Sequence, residues 1–420
     1  MMPRPDARQE VDRLSIGGAV AMLVMLPLLV YSLWICLADN RGALIVLTTT
    51  AEWGWLLGRV PAPTPTAAAI VLGWLLLQGL LYLYAPGRLV NGMPLADGSR
   101  LAYKVNGWSS WWLTWIAVAA LVWVGWIPPT VVADQLGPLL TVANLVAFSL
   151  GAYLLARGSE DRVAQGAGHA LHRYVVGSAL DPRIGRFDFK FFCEGRPGLT
   201  GWIAINLSLA AKQYEIHGTI TTPMILVNAF ALLYVADYFF HEEAILTTWD
   251  IRHEKFGWML CWGNLVWVPF TFTIQAQYLV SQPHELPLWG TVALIGLDLA
   301  GYGIFRSANL QKHRFRRDPA ALVWGRRPEY ITTANGTLLL VSGWWGMARH
   351  LNYLGDLVMG LAWCLPCRFA HPLPYFYILY SVAVLVHRER RDHAMCAAKY
   401  GPAWEAYCRR VPWRILPGVY

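Results

Sequence analysis

The sequence predicts an all-α, polytopic membrane protein, and three observations carry that prediction. Of 420 residues, 56% are hydrophobic and only 14% are charged, outside the usual range of soluble enzymes. There are 22 tryptophans, a residue enriched at membrane–water interfaces. The net charge of +8 gathers in a few segments between apolar runs. In a soluble chain such a charge suggests nucleic acid, but membrane topology accounts for it here, so no nucleic-acid partner is expected.

Met1–Arg13 is polar and carries Arg4, Arg8 and Arg13. With no small-residue cleavage site after the next apolar run, Ser15 to Leu37 reads as a retained first span. Further apolar segments lie near Thr66–Tyr84, Ser110–Ile127, Leu136–Leu155, Leu199–Ala211, Thr219–Phe240, Gly257–Val280, Leu288–Phe305, Leu351–Leu365 and Pro374–Val386. That makes about ten transmembrane helices, each long enough or nearly so to cross the hydrocarbon layer. Leu44–Leu57 and Thr337–Trp345 are too short or too polar to count, and read as re-entrant or interfacial. The basic segments Arg157–Arg196, Arg306–Arg327 and the tail after Arg388 fall on one side with this count, and the positive-inside rule makes that side cytoplasmic.

Several chemistries find no support. Seven scattered cysteines make no disulfide framework, and Cys364-Leu-Pro-Cys367 lacks the second pair that a zinc site needs. His169 and His172 belong to no HxxHH box, and His241-Glu242-Glu243 is not an HExxH helix, so no metal is expected. Gly301-Tyr-Gly303 lies in an apolar helix without a third glycine, which leaves no Rossmann fingerprint. Any nucleotide is held in another way.

Three stretches suit such a site. Lys312 and Arg316, at i and i+4, share a helix face and form a cation pair suited to a phosphate, including the one that separates NADPH from NADH; positive-inside bias alone would also place them there. Leu340 to Asp356 joins Trp344, Trp345 and Tyr353 to Asn352, Asp356 and several glycines. Flat rings can cover a nicotinamide or adenine, an amide can read an amide, and glycine permits close approach. In the third stretch, Tyr234, Asp237, Tyr238 and His241 form one stripe of an otherwise apolar helix. Ionisable groups at that depth are expensive, which points to function, though they could also only satisfy one another.

The order Leu385-Val386-His387-Arg388-x-x-Arg391-Asp392-x-x-x-Cys396-x-x-Lys399-Tyr400-Gly401 resembles the C-terminal signature of the sterol reductase family, which holds the Δ14- and Δ7-sterol reductases and the membrane half of the lamin B receptor. A second block, Ala179 to Trp202, opens Ala-Leu-Asp-Pro-Arg-Ile-Gly and resembles the family's L-N-P-R-I-G signature, with Asp181 where Asn is usual. The resemblance runs from about residue 85 onward. It implies a C-terminal NADPH pocket lined by Lys312, Arg316, Leu340, Trp345, Asn352, Tyr353, Asp392, Cys396, Ala397, Ala398, Lys399, Tyr400 and Tyr407, with the Tyr234 region bordering a sterol pocket. It also implies two parts: 1–200, N-terminal helices and a cytoplasmic loop, and 201–420, the catalytic half.

Reducing a sterol double bond requires a proton donor, an apolar cavity and a nicotinamide against one face. Protonation of a 14(15) alkene at carbon 15 leaves the cation on carbon 14, where hydride adds. Tyr234, helped by Asp237, is the expected donor; Asp392 and Tyr407 are candidates nearer the nicotinamide. The expected activity is Δ14 reduction, with Δ7 reduction open as an alternative, and the same topology would serve the endoplasmic reticulum or a bacterial inner membrane. Two rivals remain. Arg349-His350-x-x-Tyr353-x-Gly355 also resembles the start of the cofactor motif of isoprenylcysteine-type methyltransferases, but theirs continues with paired glutamates, whereas this chain reads Arg388-Glu389-Arg390-Arg391-Asp392. A non-catalytic sterol-binding protein is the other, opposed by the cations and Tyr234.

Overall fold

The structure, a computed structural model, describes residues 16–45, 49–94, 98–158 and 169–420, with backbone only at 50 and 51. Arg4, Arg8, Arg13, Ser15 and residues 159–168 of the basic loop lie outside the described residues. The fold is mostly helical; three two-stranded antiparallel pieces are the exception. Five helices are long and apolar enough to cross a membrane: Ile16–Ala38, Pro65–Tyr84, Leu136–Gly158, Thr222–Phe240 and Leu288–Arg317. The chain is a membrane protein.

It divides into two compact units, residues 1–220 with 231–283, and residues 221–230 with 284–420. The first holds α1 (Ile16–Ala38), α2 (Thr50–Gly58), α3 (Pro65–Tyr84), the hairpin β1 (Arg88–Pro94) and β2 (Arg100–Val105), α4 (Gly107–Trp123), α5 (Leu136–Gly158) and α6 (Phe189–His217). The division passes through α7 (Thr222–Phe240). Local chemistry fixes the helix ends. Thr64 accepts the Ala67 N–H at 3.1 Å ahead of Pro65, Asp188 accepts the Phe191 N–H at 2.8 Å, and Gly218, at φ +71°, closes α6 in the left-handed region.

The expected segments Ser110–Ile127 and Leu199–Ala211 lie largely in α4 and inside α6. Gly257–Val280 is not one helix. It runs as Trp258–Trp262, a π turn at Gly263–Trp267, Val268–Thr271 and Ile274–Ser281. The π turn sits where this segment meets α6 backbone to backbone: a Cβ on Gly198 would lie 2.1 Å from the Asn264 carbonyl oxygen. Trp202, Trp258 and Trp262 are fully buried beside it, and the Trp262 indole donates to Asn144 Oδ1 at 2.7 Å.

The block resembling L-N-P-R-I-G is a structural knot in this unit. Arg183 bonds Asp188 at 2.7 Å and lies over the Tyr103 ring, and the Lys190 ammonium donates to the carbonyls of Ile251 and Glu254 at 2.8 and 2.7 Å. Arg196, 1% exposed, pairs with the buried Glu242, donates to Ser110 Oγ at 3.0 Å and sits over the Tyr82 ring. Glu242 also accepts the Gly107 N–H at 2.6 Å, while burial pushes its carboxyl above the usual range against the pull of Arg196.

The second unit holds α8 (Leu288–Arg317), the antiparallel pair β3 (Tyr330–Thr332) and β4 (Leu338–Leu340), α9 (Leu351–Cys364), α10 (Phe376–Tyr400) and α11 (Pro402–Arg410). Thr337–Trp345, expected to be re-entrant or interfacial, contains β4. At 1.5 Å per residue α8 is about 45 Å long, against about 30 Å of hydrocarbon, so its last turns can extend past the apolar run that ends at Phe305. Helices α8 and α9 cross in backbone contact: a Cβ on Gly301 would meet the Gly355 oxygen at 2.9 Å, and one on Gly355 the Phe305 nitrogen at 2.5 Å. The glycines thus serve a helix crossing, and Gly355 brings a neighbouring helix close rather than a ligand. Replacing Gly355 with Ala should force the two backbones apart and lower the melting temperature in detergent, overpacking of this kind costing about 1–3 kcal/mol. A Gly355→Ala protein with the wild-type melting temperature would show that the crossing yields without cost.

Candidate cofactor site

The crossing of α8 and α9 sets the site. Past Gly301, α8 presents Asn309, Gln311, Lys312 and Arg316; opposite Gly355, α9 begins with Asn352 and Tyr353. Asn352 donates to Asn309 Oδ1 at 3.3 Å, and its own Oδ1 is buried with no partner among the described residues. Gln311 accepts the Trp344 N–H at 2.9 Å beside Gly343, whose φ of +61° only glycine holds without strain. The Trp345 indole donates to the Ala308 carbonyl at 2.9 Å, and the Lys312 ammonium lies 3.8 Å from the Trp345 ring centroid. Lys312 is half-buried and has no ion-pair partner among the described residues, while Arg316 one turn on is exposed. Leu340 and Trp345 are buried together with Phe315 and Val323.

The rest of the predicted set comes from α10 and α11. Asp392 lies 3.4 Å from His350 Nε2 and accepts from Cys396 Sγ at 3.8 Å. Burial raises the Asp392 carboxyl and Lys312 opposes the shift; burial also pushes the Cys396 thiol up to about 12. Ala397, Ala398 and Lys399 are exposed, with the Lys399 ammonium 5.0 Å from the Tyr400 ring centroid. Gly401, at φ +52°, turns α10 into α11. Trp404 and Tyr407 stack at 5.0 Å, buried with Val341 and Val411. Burial raises the Tyr407 phenol well above its usual value.

Sequence reasoning did not single out the groups behind this surface. Arg349 is buried and donates to Cys408 Sγ at 2.9 Å and the Pro412 carbonyl at 3.2 Å, and faces His393 Nδ1 at 3.2 Å. The Trp404 indole also donates to His393 Nδ1, which assigns that nitrogen as an acceptor. His350 stacks on Tyr353 at 4.8 Å, and burial, reinforced by Lys312 and Arg349, lowers its pKa to about 3, so it is neutral at ordinary pH. Only the Arg349-His350 pair in the aromatic stretch hinted at these contacts.

Tyr234 and Asp237 belong to the first unit, the other candidates to the second. The Tyr234 ring is 6.2 Å from that of Trp202, centroid to centroid. Asp237 Oδ1 lies 3.2 Å from His241 Nδ1, so that part of the stripe pairs within itself. The Tyr238 hydroxyl is buried without a hydrogen-bond partner among the described residues. No group of three or more His, Cys, Asp or Glu placed to hold a metal occurs among the described residues.

The chain is thus an α-helical membrane protein with a half-buried lysine, unpaired among the described residues, on a tryptophan face and aromatic, amide and carboxylate groups around it. Residues 7–420 match the Ergosterol biosynthesis ERG4/ERG24 family, and the chain belongs to that family. It is 53% identical over 421 residues to the Delta(14)-sterol reductase of Methylotuvimicrobium alcaliphilum, covering 99% of each chain. It is 42% identical over 422 residues to the Delta(14)-sterol reductase of Dictyostelium discoideum, covering 96% of this chain and 91% of that one. It is also 40% identical over 444 residues to the 7-dehydrocholesterol reductase of Xenopus laevis, covering 98% of this chain and 93% of that one.

Proposed function

We propose that this protein reduces the 14(15) double bond of a sterol diene with NADPH, as a step of sterol biosynthesis. The observation that carries the reading is the half-buried Lys312 ammonium, unpaired among the described residues and seated on Trp345, in a chain 53% identical to a Delta(14)-sterol reductase. A cation held in that way suits a phosphate, and the unpartnered Asn352 oxygen suits an amide N–H of a nicotinamide. Lys312 and Arg316 would hold phosphate. Leu340, Trp345, Asn352, Tyr353, Asp392, Cys396 to Tyr400 and Tyr407 would line the rest.

NADPH, when bound, supplies the hydride that adds at carbon 14. The protein supplies the proton at carbon 15, with Tyr234 as donor and Asp237 three residues on, while Asp392 and Tyr407 orient the nicotinamide end or relay a proton. The same reading takes about ten spans, a cytoplasmic cofactor face, a catalytic half over 201–420 and a bacterial inner or endoplasmic reticulum membrane.

Lys312→Ala or Arg316→Ala should each raise the Kd for NADPH by about 10- to 100-fold, the range expected for one charge-assisted bond, with sterol KM nearly unchanged. If either cation meets the extra phosphate, its loss also erases preference over NADH. An unaltered NADPH Kd in both variants would remove these cations from the site.

The decisive assay incubates purified protein in detergent with a Δ8,14-sterol diene and NADPH, and in parallel with tritiated S-adenosylmethionine and a prenylcysteine. NADPH-dependent loss of the 14(15) bond establishes the activity. Consumption of a Δ7 sterol instead moves the substrate to that of the 40% identical relative. Methyl transfer overturns the cofactor.

A further inference from the structure

Glu389 is a carboxylate buried to 1% exposure, one turn before Asp392 on α10. Its Oε2 accepts from Arg414 Nη1 at 2.8 Å and from the Tyr420 hydroxyl at 3.2 Å. The Arg414 guanidinium also lies over the Tyr420 ring, at 5.6 Å, and the backbone N–H groups of Arg414 and Ile415 donate to a main-chain oxygen of Tyr420 at 2.8 and 3.0 Å. The segment so gathered is laid against the start of α9: the Arg349 N–H donates to the Trp413 carbonyl at 3.0 Å and the His350 N–H to the Arg414 carbonyl at 2.8 Å. His350 in turn places Nε2 at 3.4 Å from Asp392 Oδ2.

These contacts close a ring. It runs from Asp392 to His350 and through the His350 backbone to Arg414. From there it passes through the Arg414 side chain to Glu389, and along one helical turn back to Asp392. We propose that Glu389, Arg414 and Tyr420 form a clasp that positions His350 against Asp392 and thereby fixes how the Asp392 carboxylate is presented to the cofactor site. The inference rests on the reductase reading above. The three are positioning residues, acting through His350. A tail that merely needed anchoring could be held by apolar packing, whereas a buried carboxylate must be held by partners of defined geometry, and here those partners lead back to Asp392.

Asp392 is faced by Lys312 and Arg316 from α8, by His350 ahead of α9, and by Cys396 and Glu389 on its own helix. Loosening His350 takes a neutral ring N–H away from the carboxylate, which raises the pH at which Asp392 ionises.

The test uses the full chain in detergent, with wild type, Glu389→Gln, Tyr420→Phe, Arg414→Lys and Arg414→Met compared. Glu389→Gln should lower kcat about tenfold or more, the scale of a small misplacement at a reacting group, while sterol KM stays near wild type. In Tyr420→Phe, which keeps the Glu389 charge that itself raises Asp392, the limb of the kcat–pH profile assigned to Asp392 should move to higher pH. Arg414→Lys, which can keep one bond to Glu389, should retain more activity than Arg414→Met. Should Glu389→Gln fail to fold, Tyr420→Phe removes a single hydroxyl and carries the same expectation for kcat and KM. A variant that melts earlier yet keeps wild-type kcat and pH profile overturns the clasp, leaving an anchor only. Wild-type protein inactive on every sterol removes the reductase reading and the clasp with it.

Discussion

Tyr234→Phe is expected to lower kcat for sterol reduction by about 10²- to 10⁴-fold, the usual contribution of a positioned acid, while leaving the NADPH Kd nearly intact. The phenol hydroxyl is the only group removed, and the ring that packs near Trp202 stays. A phenol is a weak acid, so its usefulness depends on surroundings that exclude water and on a relay able to return its proton. Steady-state turnover with a Δ8,14-sterol diene, set beside NADPH titration of the same preparations, separates chemistry from binding. Full turnover in Tyr234→Phe would assign the proton to another group.

Arg196→Ala should be the most damaging change to the fold. Removing one member of a buried ion pair costs about 3–5 kcal/mol, because the partner stays behind uncompensated. Glu242 would remain buried without its guanidinium, Ser110 would lose the same partner, and the Tyr82 face its cation. Thermal denaturation in detergent should show a large drop in Tm, and Arg196→Ala combined with Glu242→Ala should lose less than the two single changes added together. Additive losses would show that the two groups do not act as a pair.

These two expectations differ in how far they were legible in the sequence. Tyr234 stands out because a polar stripe on an apolar helix is visible in residue order alone. The role of Arg196 is not visible. It lies in a block whose resemblance to a family signature marks it as special, but the partners that explain it, Glu242 and Ser110, are 46 and 86 residues away along the chain. Lys312 and Arg316 were legible as a cation pair. Their difference was not: Lys312 is half-buried against Trp345 and Arg316 is exposed.

The glycines make the same point. Gly301 and Gly355 read as a failed nucleotide fingerprint and as room for a ligand, yet each faces the backbone of the other's helix. Close approach is what glycine permits in either case, and only the fold says what approaches.

By itself the sequence determined that the chain is an α-helical membrane protein, which segments are apolar, and which family signatures it carries, because hydrophobic runs and charge placement act locally along the chain. Tertiary structure alone decided that Gly257–Val280 breaks at a π turn, that Arg196 is buried on Glu242, and that Glu389, Arg414, His350 and Asp392 close one ring. Those outcomes depend on which distant backbones meet and which buried polar groups must find partners, and neither requirement leaves a periodicity to read.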